Sequence, residues 1–388
     1  MAKRVQGFVI GIVFMTILSS VSFASIGTSS INVLFNQVKV QVNGKPVSGD
    51  NILYNGTTYL PLRNVAALLD KEIDWEQSTR TIYIREKDDS PSPSSLTNSY
   101  DENLIHGIKI GDSLDDLLLD LGEPQRIDSS AYDFKWYIYN KDYINYLQVG
   151  VYEQRIVAIY TNTGNWLINS KIGIGSTRND VQKELGQPLS ELVVGKYRVS
   201  TNVLEKKSTN LYLIGEEYTL FFFDILDNDK LVSIFKMSKN LPDKNIFVFL
   251  GYYDRAVYDK EIISAMEKQL FDLVNSARAV KGLELLSRDI LADYSSREHS
   301  LDMAANNFFD HTNLRNQTPF ERMRNAGITF QAAAENIAAG QSDSIYAHEG
   351  LKISEGHRKQ IFGDFTKLGI GIAKGGEYGI YYTQNFFK

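Results

Sequence analysis

Two stretches of this chain copy one another at a fixed spacing, and that duplication constrains the fold more than any other feature. Gly111-Asp-Ser113-Leu-Asp-Asp116, followed by Leu121-Gly122-Glu-Pro124, returns as Gly175-Ser-Thr177-Arg-Asn-Asp180, followed by Leu185-Gly186-Gln-Pro188, every match displaced by 64 residues. Ser113 and Thr177 have the side chains of helix N-caps, with Asp116 and Asp180 three positions on to complete a capping box. Gly122 and Gly186 permit the left-handed stop, and the following prolines forbid continuation. Strand-like runs follow each predicted helix. Arg155-Ile-Val-Ala-Ile-Tyr160 parallels Lys230-Leu-Val-Ser-Ile-Phe235 at a displacement of 75, so the second copy carries about 11 extra residues. Two helix-plus-sheet units of this kind predict one pseudo-symmetric α+β domain over 104–245.

The rest of the chain divides around it. Residues 87–103 read KDDSPSPSSLTNSYDEN, too polar to bury a core and suited to a spacer. Before it, 30–86 alternates at Val38-Val40-Val42, turns at Asn43-Gly44, passes through a short apolar helix at 65–69, and closes on strands around Trp75 and Thr81-Ile82-Tyr83-Ile84. After the repeat, Ile262, Met266, Leu270, Leu273 and Val274 mark one face of a helix, and Leu291, Tyr294, Leu301, Ala305 and Phe308 mark a second. Leu368, Ile370 and Ile372 then alternate, Gly375-Gly376 turns, and residues 378–387 return as a strand. Helices followed by a sheet again give α+β.

Lys3 and Arg4 precede an uncharged apolar run at 8–18, and Ser22-Phe23-Ala24 places small residues at −3 and −1 of a cleavage site. Residues 1–24 are therefore expected to be a secretory signal peptide, with a retained anchor as the alternative. The run is short for a bilayer, which needs roughly 20 apolar residues. Cleavage leaves 364 residues with a net charge of −8, and no later stretch is apolar enough to span a membrane. An acidic balance disfavours a nucleic-acid partner. The chain has no cysteine, which excludes disulfides, thiolate zinc sites and a cysteine nucleophile, and an exported protein without disulfides suits a Gram-positive bacterium.

Three family resemblances follow from motifs. Val42-Asn-Gly44, Gly56-Thr-Thr-Tyr-Leu-Pro-Leu-Arg63 and Asp74-Trp75 resemble the copper-amine-oxidase N-terminal-like stalk module of exported proteins, here 30–86, and the absence of histidine from that segment argues against copper. The duplicated segment, 104–245, resembles the domain found N-terminal to bacterial CAP domains. The C-terminal segment, 255–388, resembles the CAP superfamily (cysteine-rich secretory, antigen and pathogenesis-related proteins) in its cysteine-free bacterial branch. Residues from about 262 onward carry this last likeness through Arg297-Glu-His-Ser-Leu-Asp-Met303, Asn307-Phe-Phe-Asp-His311, Pro319-Phe-Glu-Arg-Met323, Ala326-Gly-Ile328, Glu335-Asn-Ile-Ala338, Gly356-His-Arg358, Gly369-Ile-Gly-Ile372 and Tyr382-Thr-Gln384.

The resemblance implies an α/β/α sandwich with a central antiparallel sheet and a cleft lined by His311, Glu335 and His357. Where the eukaryotic branch has a second Glu and a last His, this chain has Ser354 and Tyr381, so the cleft set holds three strong ligands plus a hydroxyl. Ala334 and Glu355 replace the usual Gly and Pro. His311, Glu335 and His357 are a tentative site for Zn²⁺ or another divalent cation. Acid/base work without metal is an alternative, and a hydrogen-bonded network that orients ligand is a third. His348-Glu349-Gly-Leu-Lys352 is no zincin motif, because Lys stands where the second His belongs. His299 is expected to face solvent or contact the site from a second layer. Arg358 is expected to pair with Glu355 or Asp364, and Asn275 and Arg278 to brace their helix. The aromatic residues crowded into 132–160 and 218–235 are read as sheet core rather than a glycan platform, and the Asp227-Asn-Asp-Lys run as a turn rather than a calcium loop.

The expectation is an exported bacterial CAP protein, secreted and either released or associated with the cell wall or spore surface. Its leading function is non-enzymatic binding of cell-wall, lipid, glycan or secreted-protein ligand. A metal-dependent hydrolase of peptides or wall polymer and a structural assembly protein are the alternatives.

Overall fold

The computed structural model describes residues 104–388 apart from 165, 202–207, 253, 255 and 256, together with 34–35, 37–42, 45–46, 51–60, 62, 65–66, 69, 71–76 and 81–86. The expected leader at 1–24 and the spacer at 87–103 lie outside the described residues. The chain divides into two units, 1–97 and 98–388.

The first unit is built of short strands: β1 (Leu34–Phe35), β2 (Gln41–Val42), β3 (Lys45–Pro46), β4 (Ile52–Tyr54), β5 (Thr57–Tyr59), β6 (Lys71–Glu76) and β7 (Thr81–Glu86). They form a three-stranded sheet, β1-β4-β5, and two hairpins, β2-β3 and β6-β7. Asn55 and Gly56 both take positive φ (48° and 80°) between β4 and β5, the backbone a two-residue hairpin turn demands.

In the second unit the duplication closes into one sheet. The first copy supplies α1 (Leu114–Leu121), β8 (Arg126–Asp128), β9 (Lys135–Tyr139), β10 (Leu147–Tyr152) and β11 (Arg155–Thr161). The second supplies α2 (Arg178–Leu185), β12 (Glu191–Val194), β13 (Tyr197–Ser200), β14 (Thr209–Ile214), β15 (Glu217–Asp224) and β16 (Lys230–Ser238). The order β14-β15-β16-β11-β10-β9-β8 runs outward from the β16·β11 seam in mirror sequence, every pair antiparallel. Both helices carry full capping boxes, Ser113 with Asp116 and Thr177 with Asp180, and end on Gly122 and Gly186 at φ 73° and 80°. The equivalence extends to single bonds: the Tyr139 hydroxyl donates to the Gly122 carbonyl (3.1 Å) as the Tyr212 hydroxyl donates to the Gly186 carbonyl (3.2 Å). The extra residues of the second copy form the β12-β13 hairpin.

The C-terminal half follows as α3 (Asp243–Phe249), α4 (Lys260–Val280), β17 (Ser287–Arg288), α5 (Ile290–Asn306), α6 (Pro319–Asn325), β18 (Ala333–Ala339), α7 (Ser344–Lys352), α8 (Glu355–Ile361), β19 (Lys367–Gly375) and β20 (Gly379–Phe387). Its sheet has the order β17-β19-β20-β18, antiparallel except for the β17-β19 pair. One core joins Trp136, Tyr160 and Phe235 of the repeat sheet to Ile262, Leu270 and Ile345 of α4 and α7 and to Ile370, Tyr382 and Phe386 of the second sheet. The layers therefore run α1/α2, seven-stranded sheet, α4/α7, four-stranded sheet, α5. Helices α4 and α7 are shared between two sheets, and this is why α4 is buried over so broad a face. Asp272 of α4 sits at the join: it accepts hydrogen bonds from Arg126 (2.7 Å), Asn140 (2.9 Å) and the Tyr143 hydroxyl (2.7 Å), all from the first copy.

Helix α5 departs from its sequence pattern. Leu291, Tyr294 and Leu301 are exposed, while Ala292, Ser295, Ser296, His299 and Ser300 are buried. The cause is a very close approach to β19. A Cβ on Gly369 would lie 2.1 Å from the Ala292 carbonyl carbon, and one on Gly371 would lie 2.0 Å from the Arg297 nitrogen. Only small residues fit against such a seam, and Ser296 and Ser300 donate to the Gly369 and Gly371 carbonyls (3.2 and 2.9 Å). The apolar stripe lies outward because the packed face is the polar, small one.

Candidate functional site

Glu335 lies on β18, whose side chains alternate across the sheet and deliver the carboxylate to the α5 face. Its side chain is 1% exposed, a costly place for a charge without partners. Two groups meet it. Arg322 of α6 reaches Oε2 with Nη2 at 2.6 Å, and His311, in the loop before α6, places Nδ1 3.0 Å from Oε1. Arg322 is itself fixed, donating through Nη1 to the carbonyls of His311 (2.7 Å) and Gln317 (2.9 Å). Thr318 and Glu321 form the capping box that starts α6, with Pro319 in its first turn, so the local sequence sets where Arg322 emerges.

His299 stands behind the carboxylate, Nε2 3.9 Å from Glu335 Oε1 and 3.0 Å from the Asp310 carbonyl oxygen. It is 1% exposed; the solvent-facing placement is overturned, and the close α5-β19 seam described above is the reason. Burial holds its pKa below the ordinary histidine value, with the Glu335 charge opposing and the Arg322 charge adding. His357, near the start of α8, is likewise held below its ordinary value by burial and by the neighbouring His311. Its Nδ1 has no hydrogen-bond partner, and its carbonyl accepts from Asn336 on β18 (3.1 Å).

His311, Glu335 and His357 thus occupy one neighbourhood. Ser354 is the N-cap of α8 and makes no side-chain capping bond. Tyr381 is placed elsewhere: fully buried, it packs with Met303, Ala304, Ile337 and Ala373, and its hydroxyl accepts a long bond (3.5 Å) from the Tyr378 N–H. A phenol in the position of an imidazole is drawn into the apolar lining beside it. Arg358 pairs with neither Glu355 nor Asp364; it reaches Asp224 of the repeat half at 2.7 Å, a partner that reading the C-terminal segment alone does not offer. Arg322 is the functional residue sequence reasoning missed. It sits inside the Pro-Phe-Glu-Arg-Met motif, and the one available signal was that a buried carboxylate needs a cation.

Among the described residues no group of three or more His, Asp or Glu side chains is placed to hold a metal ion. Both Glu335 oxygens are engaged, one by the Arg322 guanidinium, whose charge a divalent cation at that carboxylate would have to oppose.

The sequence profile of the cysteine-rich secretory protein family matches residues 271–386, that of the CAP-associated N-terminal domain matches 110–245, and that of the copper amine oxidase N-terminal domain matches 25–90. The chain is 32% identical over 293 residues, 72% of its length, to the "uncharacterized membrane protein YlbC" of Bacillus subtilis (strain 168), 82% of which is covered. The chain belongs to the cysteine-rich secretory protein (CAP) family. A second relative, the "uncharacterized protein YkwD" of the same organism, is 38% identical over 125 residues, covering 32% of this chain and 48% of that one. Among solved structures, an extracellular protein containing an SCP domain from Bacillus anthracis superposes with a TM-score of 0.64 at 29% identity, over 77% of this chain and all of that one. A cysteine-rich secretory protein from Staphylococcus aureus gives 0.59 at 18% identity, over 74% of this chain and 93% of that one, and shows the shared fold. The α+β class and the CAP assignment both stand. Among the described residues no helix is long and apolar enough to cross a membrane.

Proposed function

We propose that this bacterial CAP protein works outside the cell as a non-enzymatic binding protein, with the face around His311 and His357 as its recognition surface and cell-wall polymer as its first ligand class. The observation that carries the reading is the engagement of Glu335. A general base must be free to take a proton, and the Glu335 carboxylate has both oxygens engaged, one by Arg322 at 2.6 Å and the other by His311 at 3.0 Å. It serves to orient His311, whose ring is about half exposed (48%) and available to a ligand as donor or acceptor. Export is supported by the basic start and short apolar run of 1–24, and by the extracellular character stated for the B. anthracis relative. The B. subtilis relative's description as a membrane protein favours an uncleaved anchor, which N-terminal sequencing of the natural product distinguishes from cleavage after Ala24.

The deciding experiment is cosedimentation of the purified chain with cell-wall sacculi and, separately, with phospholipid vesicles, for wild type and His311→Ala. Binding to sacculi that weakens in the variant supports the reading. A hydrolase reading draws on one observation, the His357 imidazole, whose Nδ1 makes no hydrogen bond and whose pKa burial lowers. Release of soluble wall fragments or peptides, lost on His357→Ala, would replace binding with catalysis.

A further inference from the structure

A cavity of about 210 Å³ lies where the repeat half meets the ends of α4, α7 and α8, apart from the His311 face. Leu231, Val280, Ile353 and Phe362 give it apolar walls. Charged side chains also line it: Glu349 and Lys352 of α7, Asp224 of β15, Arg358 of α8, Lys281 just after α4, and the half-exposed Asp227–Lys230 pair. Glu349 and Lys352 are only 5% and 9% exposed. Buried ion pairs are a poor means of stabilising a fold, since a well-packed apolar replacement often does as well or better. Two such pairs around one small cavity call for another account.

The hydrogen bonds supply it. Glu349 Oε1 accepts from both the Tyr160 hydroxyl (2.7 Å) and Lys352 Nζ (2.9 Å), while no partner is described for Oε2. Lys352 spends one of its three N–H groups on that bond. Arg358 is tied to Asp224 (2.7 Å) and to the Lys352 carbonyl (3.2 Å). Lys281 lies over the Phe362 ring at 5.2 Å, with no carboxylate partner among the described residues. The cavity thus presents the carboxylate and the ammonium of one ion pair, each with hydrogen-bonding capacity left over, beside an apolar wall and a second ammonium, Lys281. A molecule that satisfies these groups carries a cation, an anion and a hydrocarbon side chain on one small frame. An apolar cavity of roughly 150 Å³ admits benzene, so this volume has room for a body the size of leucine.

We propose that this cavity binds a free apolar α-amino acid. Its ammonium group sits on Glu349 Oε2, its carboxylate on Lys352 and Lys281, and its side chain against Val280, Ile353 and Phe362. The site needs both halves of the second unit, and it is independent of the ligand assigned to the His311 face.

Calorimetric titration of the full chain with leucine, N-acetyl-leucine and leucinamide tests it. Leucine binds with a dissociation constant on the order of 0.1 mM, as suits so small a ligand. Each blocked derivative, lacking one charge-assisted contact, binds roughly tenfold or more weakly. Val280→Trp, at the half-exposed rim, abolishes leucine binding with the thermal midpoint unchanged. In Glu349→Gln, leucine binds no better than N-acetyl-leucine, and should that variant fail to fold, the Val280→Trp result stands by itself. No saturable heat with leucine at about 10 mM, equal binding of all three ligands, or binding untouched by Val280→Trp each overturns the proposal.

Discussion

Replacing Arg322 by Met removes the counter-charge of a carboxylate that solvent barely reaches, while keeping a side chain of similar length. Breaking a buried pair from one side costs about 3–5 kcal/mol, because the remaining charge is left uncompensated. The two carbonyls that Arg322 also serves, His311 and Gln317, lie in a half-open loop where water replaces it, so they add little. The His311 ring, 3.0 Å from Glu335 Oε1, remains as a hydrogen-bond partner and keeps the loss toward the lower end of that range. Adding Glu335→Gln removes the stranded charge and should restore about 2–3 kcal/mol of the loss, a coupling within the range seen for residues of one network. Urea unfolding followed by fluorescence suits the measurement, since Trp136 lies in the core shared by both halves. A loss below about 1 kcal/mol at pH 8, or a double variant no more stable than Arg322→Met, would refute the assignment of Arg322 as the partner that makes the buried carboxylate tolerable.

Three further outcomes are expected. Burial raises the Asp343 carboxyl from 3.8 to about 6, so the folded chain keeps a proton that the unfolded chain has lost; stability from this group is fully present below 3.8, falls by about 3 kcal/mol as pH rises to 6, and stays level beyond. Asp343→Asn keeps an acceptor for the Tyr346 N–H (3.1 Å) and removes that slope, so the gap between variant and wild-type urea midpoints must widen in the variant's favour from pH 4 to 6; a constant gap contradicts the assignment. Gly371→Ala should cost about 3 kcal/mol or more by driving a Cβ into the α5 backbone, whereas Gly350→Ala, with open space around its Cβ inside α7, should be neutral or stabilising by up to about 1 kcal/mol; equal thermal shifts would dismiss the close seam. Calorimetric Zn²⁺ titration of wild type and of a His311→Ala/His357→Ala variant should give the same weak heats; a micromolar site lost in the variant would show that Arg322 yields to a metal.

What could be read from the sequence divides along a physical line. Caps, turns and strand alternation are local, so the two capped helices, the return of β19 into β20 and the buried face of α4 follow from spacing. The inverted face of α5 does not, because a hydrophobic stripe predicts burial only when the partner surface leaves room for large side chains, and Gly369 and Gly371 leave none. The site is legible to the same degree. His311, Glu335 and His357 stand in recognisable motifs, yet Arg322 and His299 become functional only through the third dimension, and the Arg358-Asp224 pair joins residues 134 positions apart. Tyr381 illustrates the reverse error: a motif position fixes a backbone address, and the side chain then follows its own solubility.

The convergence of Arg126, Asn140 and Tyr143 on Asp272 also bears on how such a chain can change over generations. A gene that exchanges its C-terminal half for one whose α4 lacks this carboxylate loses the acceptor on which Arg126, Asn140 and Tyr143 converge, and leaves Arg126 with Asp128 alone. Recombination breakpoints between the two halves are therefore costly. Asp272 and its three partners thus favour joint inheritance of the repeat half and the C-terminal half.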